Sequence, residues 1–78
     1  MDYSSVTYES FLTSLPHIAH QNDWRYGQAV FNLLANVRPH LADSIRTTHL
    51  DPFYREKHDI DPMLWTLLES RWDEPITT

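Results

Sequence analysis

The chain has 78 residues, a formal net charge of −5 and no cysteine. That length suits one domain with a modest core. Without cysteine, neither a disulfide nor a thiolate metal site reinforces it. No apolar run approaches the roughly 20 residues that a membrane-spanning helix needs. The opening MDYSSVTYES lacks the positive charge and apolar run of a signal peptide. The expected location is therefore cytoplasmic, in the producing cell or in a host cell. Three Trp, four Tyr and three Phe in a chain that is 41% hydrophobic supply material for a core. The single glycine argues against a turn-rich β-sandwich.

Helical spacing begins at Thr7, whose hydroxyl suits an N-cap. Tyr8, Phe11, Leu12 and Leu15 then share one face. Ile18 and Ala19 extend it, but Pro16 intervenes, so the first helix is expected to end near Ser14 or to kink and restart. Residues 21–23 read as a connector, with Asn22 or Asp23 capping a second helix. That helix carries Tyr26, Val30, Leu33, Leu34 and Val37 as a stripe, broadened by Trp24, Phe31 and Ala35. A stripe this wide suits the central helix of a small bundle. Gly27 inside it costs about 1 kcal/mol relative to alanine, which predicts close approach by a neighbouring aromatic or backbone.

Arg38 precedes Pro39 and is biased away from helical geometry. Pro39 opens a short third helix with Leu41, Ala42 and Ile45, ending near Thr47. Asp51-Pro52 and Asp61-Pro62 repeat one start signal, an aspartate cap before a proline. The first is expected to open only a turn, over residues 52–55. The second opens a firmer helix with Leu64, Trp65, Leu67, Leu68 and Trp72. The expected fold is an all-α single domain over residues 1–78, of three main helices plus one or two short ones. Its ordered core is expected over about residues 7–72, with a flexible tail at 74–78.

The series Trp24-Arg25-x-Gly27-Gln28-x-x-Phe31-Asn32-x-Leu34, then Arg38-Pro39-x-Leu41-Ala42, then Asp51-Pro52-Phe53-Tyr54, resembles a pattern in small uncharacterised proteins of bacteria and their phages. The resemblance covers roughly residues 7–72. It implies a small helical domain, often on mobile genomes. That group has no established activity, cofactor or catalytic residue, so none is carried over.

Charge is unevenly spread. Residues 1–23 hold three acids and no lysine or arginine, residues 24–57 hold five basic residues against three acids, and residues 58–78 hold five acids against Arg71. Six lysines and arginines in all fall short of the basic patch that nucleic acid usually requires. Histidines 17 and 20 lie three apart, a spacing that matches no metal motif on its own. Together with His40, His49 and His58 they read as surface residues, and no metal or cofactor is expected. Asp51 and Asp61 are explained as caps, no GxSxG or phosphate-binding loop occurs, and a bundle this small leaves little room for a substrate pocket. The chain reads as no enzyme.

The candidate binding residues are Arg25, Gln28, Asn32, Arg38, Phe53, Tyr54, Arg71 and Trp72. Arg25 in a first helical turn requires a specific partner such as Asp23, Asp51 or a C-terminal carboxylate. Gln28 and Asn32, four apart, form either a buried hydrogen-bonded pair holding a loop or a polar strip that meets a partner. Phe53, Tyr54 and Trp72 are more aromatic surface than a small domain readily encloses, and Trp, Tyr and Arg dominate binding hot spots. Trp72, beside Arg71 near the end, is expected to be at least half exposed. These features predict a non-catalytic protein-binding module: a small accessory or inhibitory factor, phage- or mobile-element-encoded, that covers a surface of a larger protein. A homo-oligomeric structural module or a nucleic-acid-associated regulator are the alternative readings.

Overall fold

The computed structural model describes residues 5–74. Among them lie four α-helices and no strand: α1 (Tyr8–Asn22), α2 (Tyr26–Val37), α3 (Pro39–Ile45) and α4 (Pro62–Arg71), with a 3-10 turn at Lys57–Asp59 before α4. The all-α class follows from the sequence as read. α2 is central and packs against both α1 and α3. α4 closes the bundle through aromatic contacts of Trp72 with Tyr8 and Phe11, and of Trp65 with Tyr26.

The core forms where helical periodicity places it. Phe11 and Leu15 come from α1, Val30, Leu34 and Val37 from α2, and Leu41, Ala42 and Ile45 from α3. Leu64, Leu68 and Trp72, spaced by four, line up along α4 and its first following residue. Each large apolar side chain removed from water contributes about 1.5–3 kcal/mol. A chain without disulfides relies on that term.

Thr7 caps α1, its hydroxyl accepting the Ser10 N–H at 3.0 Å. Asp61 caps α4 by accepting the Met63 N–H at 2.9 Å, with Pro62 in the first turn. Asp51-Pro52 opens only a turn, closed by the Arg55 N–H to the Pro52 carbonyl at 2.8 Å.

Two helix boundaries differ from expectation. α1 continues through Pro16 as one helix of 15 residues. Pro16 is exposed, so the bond it fails to donate falls on the outer side of the helix, while Phe11 and Leu15 are buried on the inner side. Asp23 does not start α2. It ends α1 in the left-handed conformation, φ 55°, while the Trp24 N–H reaches back to the Ala19 carbonyl at 2.9 Å and its own N–H to His20 at 3.3 Å. This is the hydrogen-bond pattern of a Schellman stop, and aspartate is one of the few side chains that tolerates the required φ. The residue preceding α2 is then Arg25, which offers no side-chain cap. Of the tail expected at 74–78, Glu74 lies in a turn, its N–H donating to the Arg71 carbonyl at 3.1 Å. Residues 75–78 lie outside the described residues.

Candidate functional site

Gly27 is where the irregular segment 46–61 meets α2. Its N–H donates to the Arg55 carbonyl at 3.0 Å. A Cβ at this position would overlap the Pro52 carbonyl oxygen and stand 2.5 Å from that of Arg55. Backbone thus packs on backbone, the close approach that the helix-interior glycine predicts. Asp51 fixes the same segment from within. One carboxylate oxygen accepts the Thr47 N–H at 2.9 Å and the other the Phe53 N–H at 3.0 Å.

With the segment so held, its aromatic rings are positioned. Phe53 meets Phe31 of α2 edge-on, ring centroids 6.0 Å apart, and Tyr54 meets Phe53 at 4.9 Å. Arg46 lies over the Phe31 ring at 5.4 Å and pairs with Asp43 at 3.3 Å. Tyr54, at the end of the row, is 82% exposed. Gln28 and Asn32, four apart, share one side of α2, with Gln28 a turn before Phe31. Both are half-buried, and neither side chain hydrogen-bonds to another described residue. They are therefore not the buried bonded pair that was one expectation for them. The loop is held to α2 by Gly27 and Phe31 instead. Arg25 stands at the start of α2, exposed, and pairs with Glu56 at 3.5 Å rather than with Asp23 or Asp51. Arg25, Phe53 and Tyr54 thus stand where segment 46–57 meets α2, and Gln28 and Asn32 lie on the adjoining side of α2 by helical spacing.

Arg38 and Trp72 are elsewhere and inside. Trp72 is 2% exposed and Arg38 3%. Trp72 packs against Phe11 and Tyr8, and its indole N–H donates to the Val6 carbonyl at 2.8 Å. Arg38 lies over the Trp72 ring at 4.6 Å. Its Nε donates to the Trp72 carbonyl at 2.9 Å, and its terminal nitrogens donate to Val37 at 2.7 Å and Val6 at 3.0 Å. The expectation that Trp72 is at least half exposed is wrong, and Arg38 offers no binding surface. The spacing of four from Leu64 and Leu68 was the signal that Trp72 belongs to the core. Arg71, half-buried, is engaged by Glu74 at 3.0 Å and stands apart from the α2 face.

Histidines 17, 20, 49 and 58 are exposed. His40 departs from the surface reading: both ring nitrogens are buried without a hydrogen bond, the Glu74 carboxylate standing 3.9 Å from Nε2. Its place in the first turn of α3 turns it toward the residues that follow α4. No group of three or more potential ligands among the described residues is arranged to hold a metal ion. No helix among them is long and apolar enough to cross a membrane.

A separate depression of about 580 Å³ is edged by Tyr8, Glu9, Glu69 and Asp73. Burial, and then the Glu69 carboxylate, push the Tyr8 hydroxyl above its ordinary pKa, while it donates to the Trp65 carbonyl at 3.3 Å. Burial alone raises Tyr26. No family model matches this chain, and neither does any curated protein or solved structure. Sequence reasoning missed Phe31 as the support of the aromatic row, although its position one turn after Gly27 was the available signal.

Proposed function

We propose that this chain is a non-catalytic protein-binding module that covers a surface of a larger protein with the face formed by α2 and segment 46–57. The observation that carries this reading is the Tyr54 ring, 82% exposed yet standing on Phe53 and Phe31 in a segment pinned at Gly27 and Asp51. A large ring held in place before binding loses little freedom on contact. Tyrosine and arginine near the centre of an interface carry most of its binding energy. Gln28 and Asn32, whose side chains keep hydrogen-bonding capacity, supply polar contacts around the rings. Masking a surface in this way suits an accessory or inhibitory factor of phage or mobile-element origin.

The test compares tagged wild type with Tyr54→Ala in lysate of the source bacterium or its host. Wild type is expected to retain one partner in stoichiometric amount and the variant to lose it, with thermal stability changed by under about 0.5 kcal/mol because the ring is exposed. Failure of wild type to capture a stoichiometric partner, or capture undiminished by the substitution, overturns the proposal.

A further inference from the structure

The chain has five arginines, and four of their guanidinium groups are engaged: Arg25 by Glu56, Arg38 by backbone carbonyls, Arg46 by Asp43 and Arg71 by Glu74. Arg55 is different. Its guanidinium makes no hydrogen bond, ion pair or ring contact with any described residue, although its backbone is fixed at both ends. The N–H donates to Pro52 and the carbonyl accepts from Gly27. Two shallow depressions, of about 480 and 540 Å³, share Arg55 in their walls. Asp51 and Asp59 line both. Asp51 has each oxygen on a backbone N–H, whereas Asp59 is exposed and has His58 Nε2 beside it at 3.6 Å. Next in the chain stands the exposed Tyr54 ring.

We propose that Arg55, with Tyr54 beside it, takes a single aspartate or glutamate carboxylate of the partner protein and thereby selects which partner this face accepts. The inference rests on the protein-binding reading and names the chemistry of the partner. A guanidinium presents a planar fork that matches a carboxylate with two parallel hydrogen bonds. The surroundings choose the charge of the ligand. Asp51 and Asp59 in the same depressions, in a chain of net charge −5, repel a phosphodiester backbone or a doubly charged phosphate more than one carboxylate. An apolar or aromatic neighbour of that carboxylate then rests on Tyr54.

A library of random 12-residue peptides displayed on phage, selected on wild type, tests this. Selected peptides are expected to share an acidic residue next to an apolar or aromatic one. As synthetic peptides they are expected to bind Arg55→Gln about tenfold more weakly, a loss of about 1.4 kcal/mol, and Arg55→Lys with an intermediate loss. Both variants are expected to melt with wild type, since the side chain supports no other residue. Peptides that need Tyr54 but carry no shared acid, or that bind Arg55→Gln as well as wild type, overturn this inference and leave the protein-binding reading standing. A 12-nucleotide single-stranded DNA that binds through Arg55 in place of any peptide overturns both, as does a selection that enriches nothing.

Discussion

Arg38, over the Trp72 ring, and Arg55, next to Tyr54 in the chain, both stand on breaks between regular elements, and they finish in opposite surroundings. Arg38 is enclosed over Trp72 with backbone oxygens of Val6, Val37 and Trp72 around it. Arg55 stands in water next to Tyr54 in the chain, and neither Asp51, with both oxygens on backbone N–H groups, nor the exposed Asp59 pairs with it. The difference lies in the acceptors. A guanidinium leaves water where several oxygens converge to replace its hydration. Where too few oxygens converge, it stays outside and remains available. An arginine beside an aromatic residue therefore reads as either a buried clasp or a binding group, and the supply of free carbonyls decides.

Removing the enclosed side of this comparison has the largest expected effect. Arg38→Met takes one donor group from three carbonyls, and a buried acceptor left short costs about 1–3 kcal/mol. A total loss of about 3 kcal/mol is expected by urea denaturation. Arg38→Lys restores only part, since an ammonium cannot present the same fork. A loss below about 1 kcal/mol would show that the clasp is incidental.

On the open side, Gly27→Ala has a sign opposite to ordinary helix propensity. In a free helix the change gains about 1 kcal/mol. Here the new methyl group meets two backbone oxygens, so a net loss of about 2 kcal/mol is expected, together with altered amide resonances over residues 52–55. Arg38→Met is expected to leave those resonances in place. A variant that melts above wild type would refute the contact at Gly27.

The smallest effect separates the two sides by pH. Tyr8 packs on Trp72, and burial raises the pKa of its hydroxyl. Above the ordinary tyrosine pKa of about 10, the unfolded chain gives up this proton while the folded chain keeps it. Stability is then fully present below that pH and falls as pH rises through the folded pKa. Tyr26 adds to the same decline. Melting temperature followed from pH 9 to 11 is expected to fall more steeply for wild type than for Tyr8→Phe. Parallel curves would refute the assignment.

Much of this arrangement was legible before any coordinates. Period-3.6 spacing locates the buried faces of all four helices, and the aspartate-proline pairs locate one turn and one helix start. Gly27 announced a close backbone, though the identity of that backbone depends on a segment some 25 residues later in the chain. The misreadings have physical causes. Asp23 looks like an N-cap because the same short acceptor that favours caps also tolerates the left-handed conformation. Pro16 looks like a terminus because local sterics do not include the packing that carries a helix across it. Trp72 looked exposed because it sits near a chain end, whereas indole and guanidinium donors converging on Val6 are a tertiary fact with no local signature. The availability of Arg55 was equally hidden, since it depends on where each neighbouring carboxylate spends its oxygens.

The Val6 carbonyl receives its guanidinium donor from 32 residues away and its indole donor from 66. Helices of this length form in about a microsecond. Bringing such distant segments together is a separate loop closure, whose entropic cost grows with the chain between them. One acceptor thus closes two loops at once, tying residue 6 to residues 38 and 72.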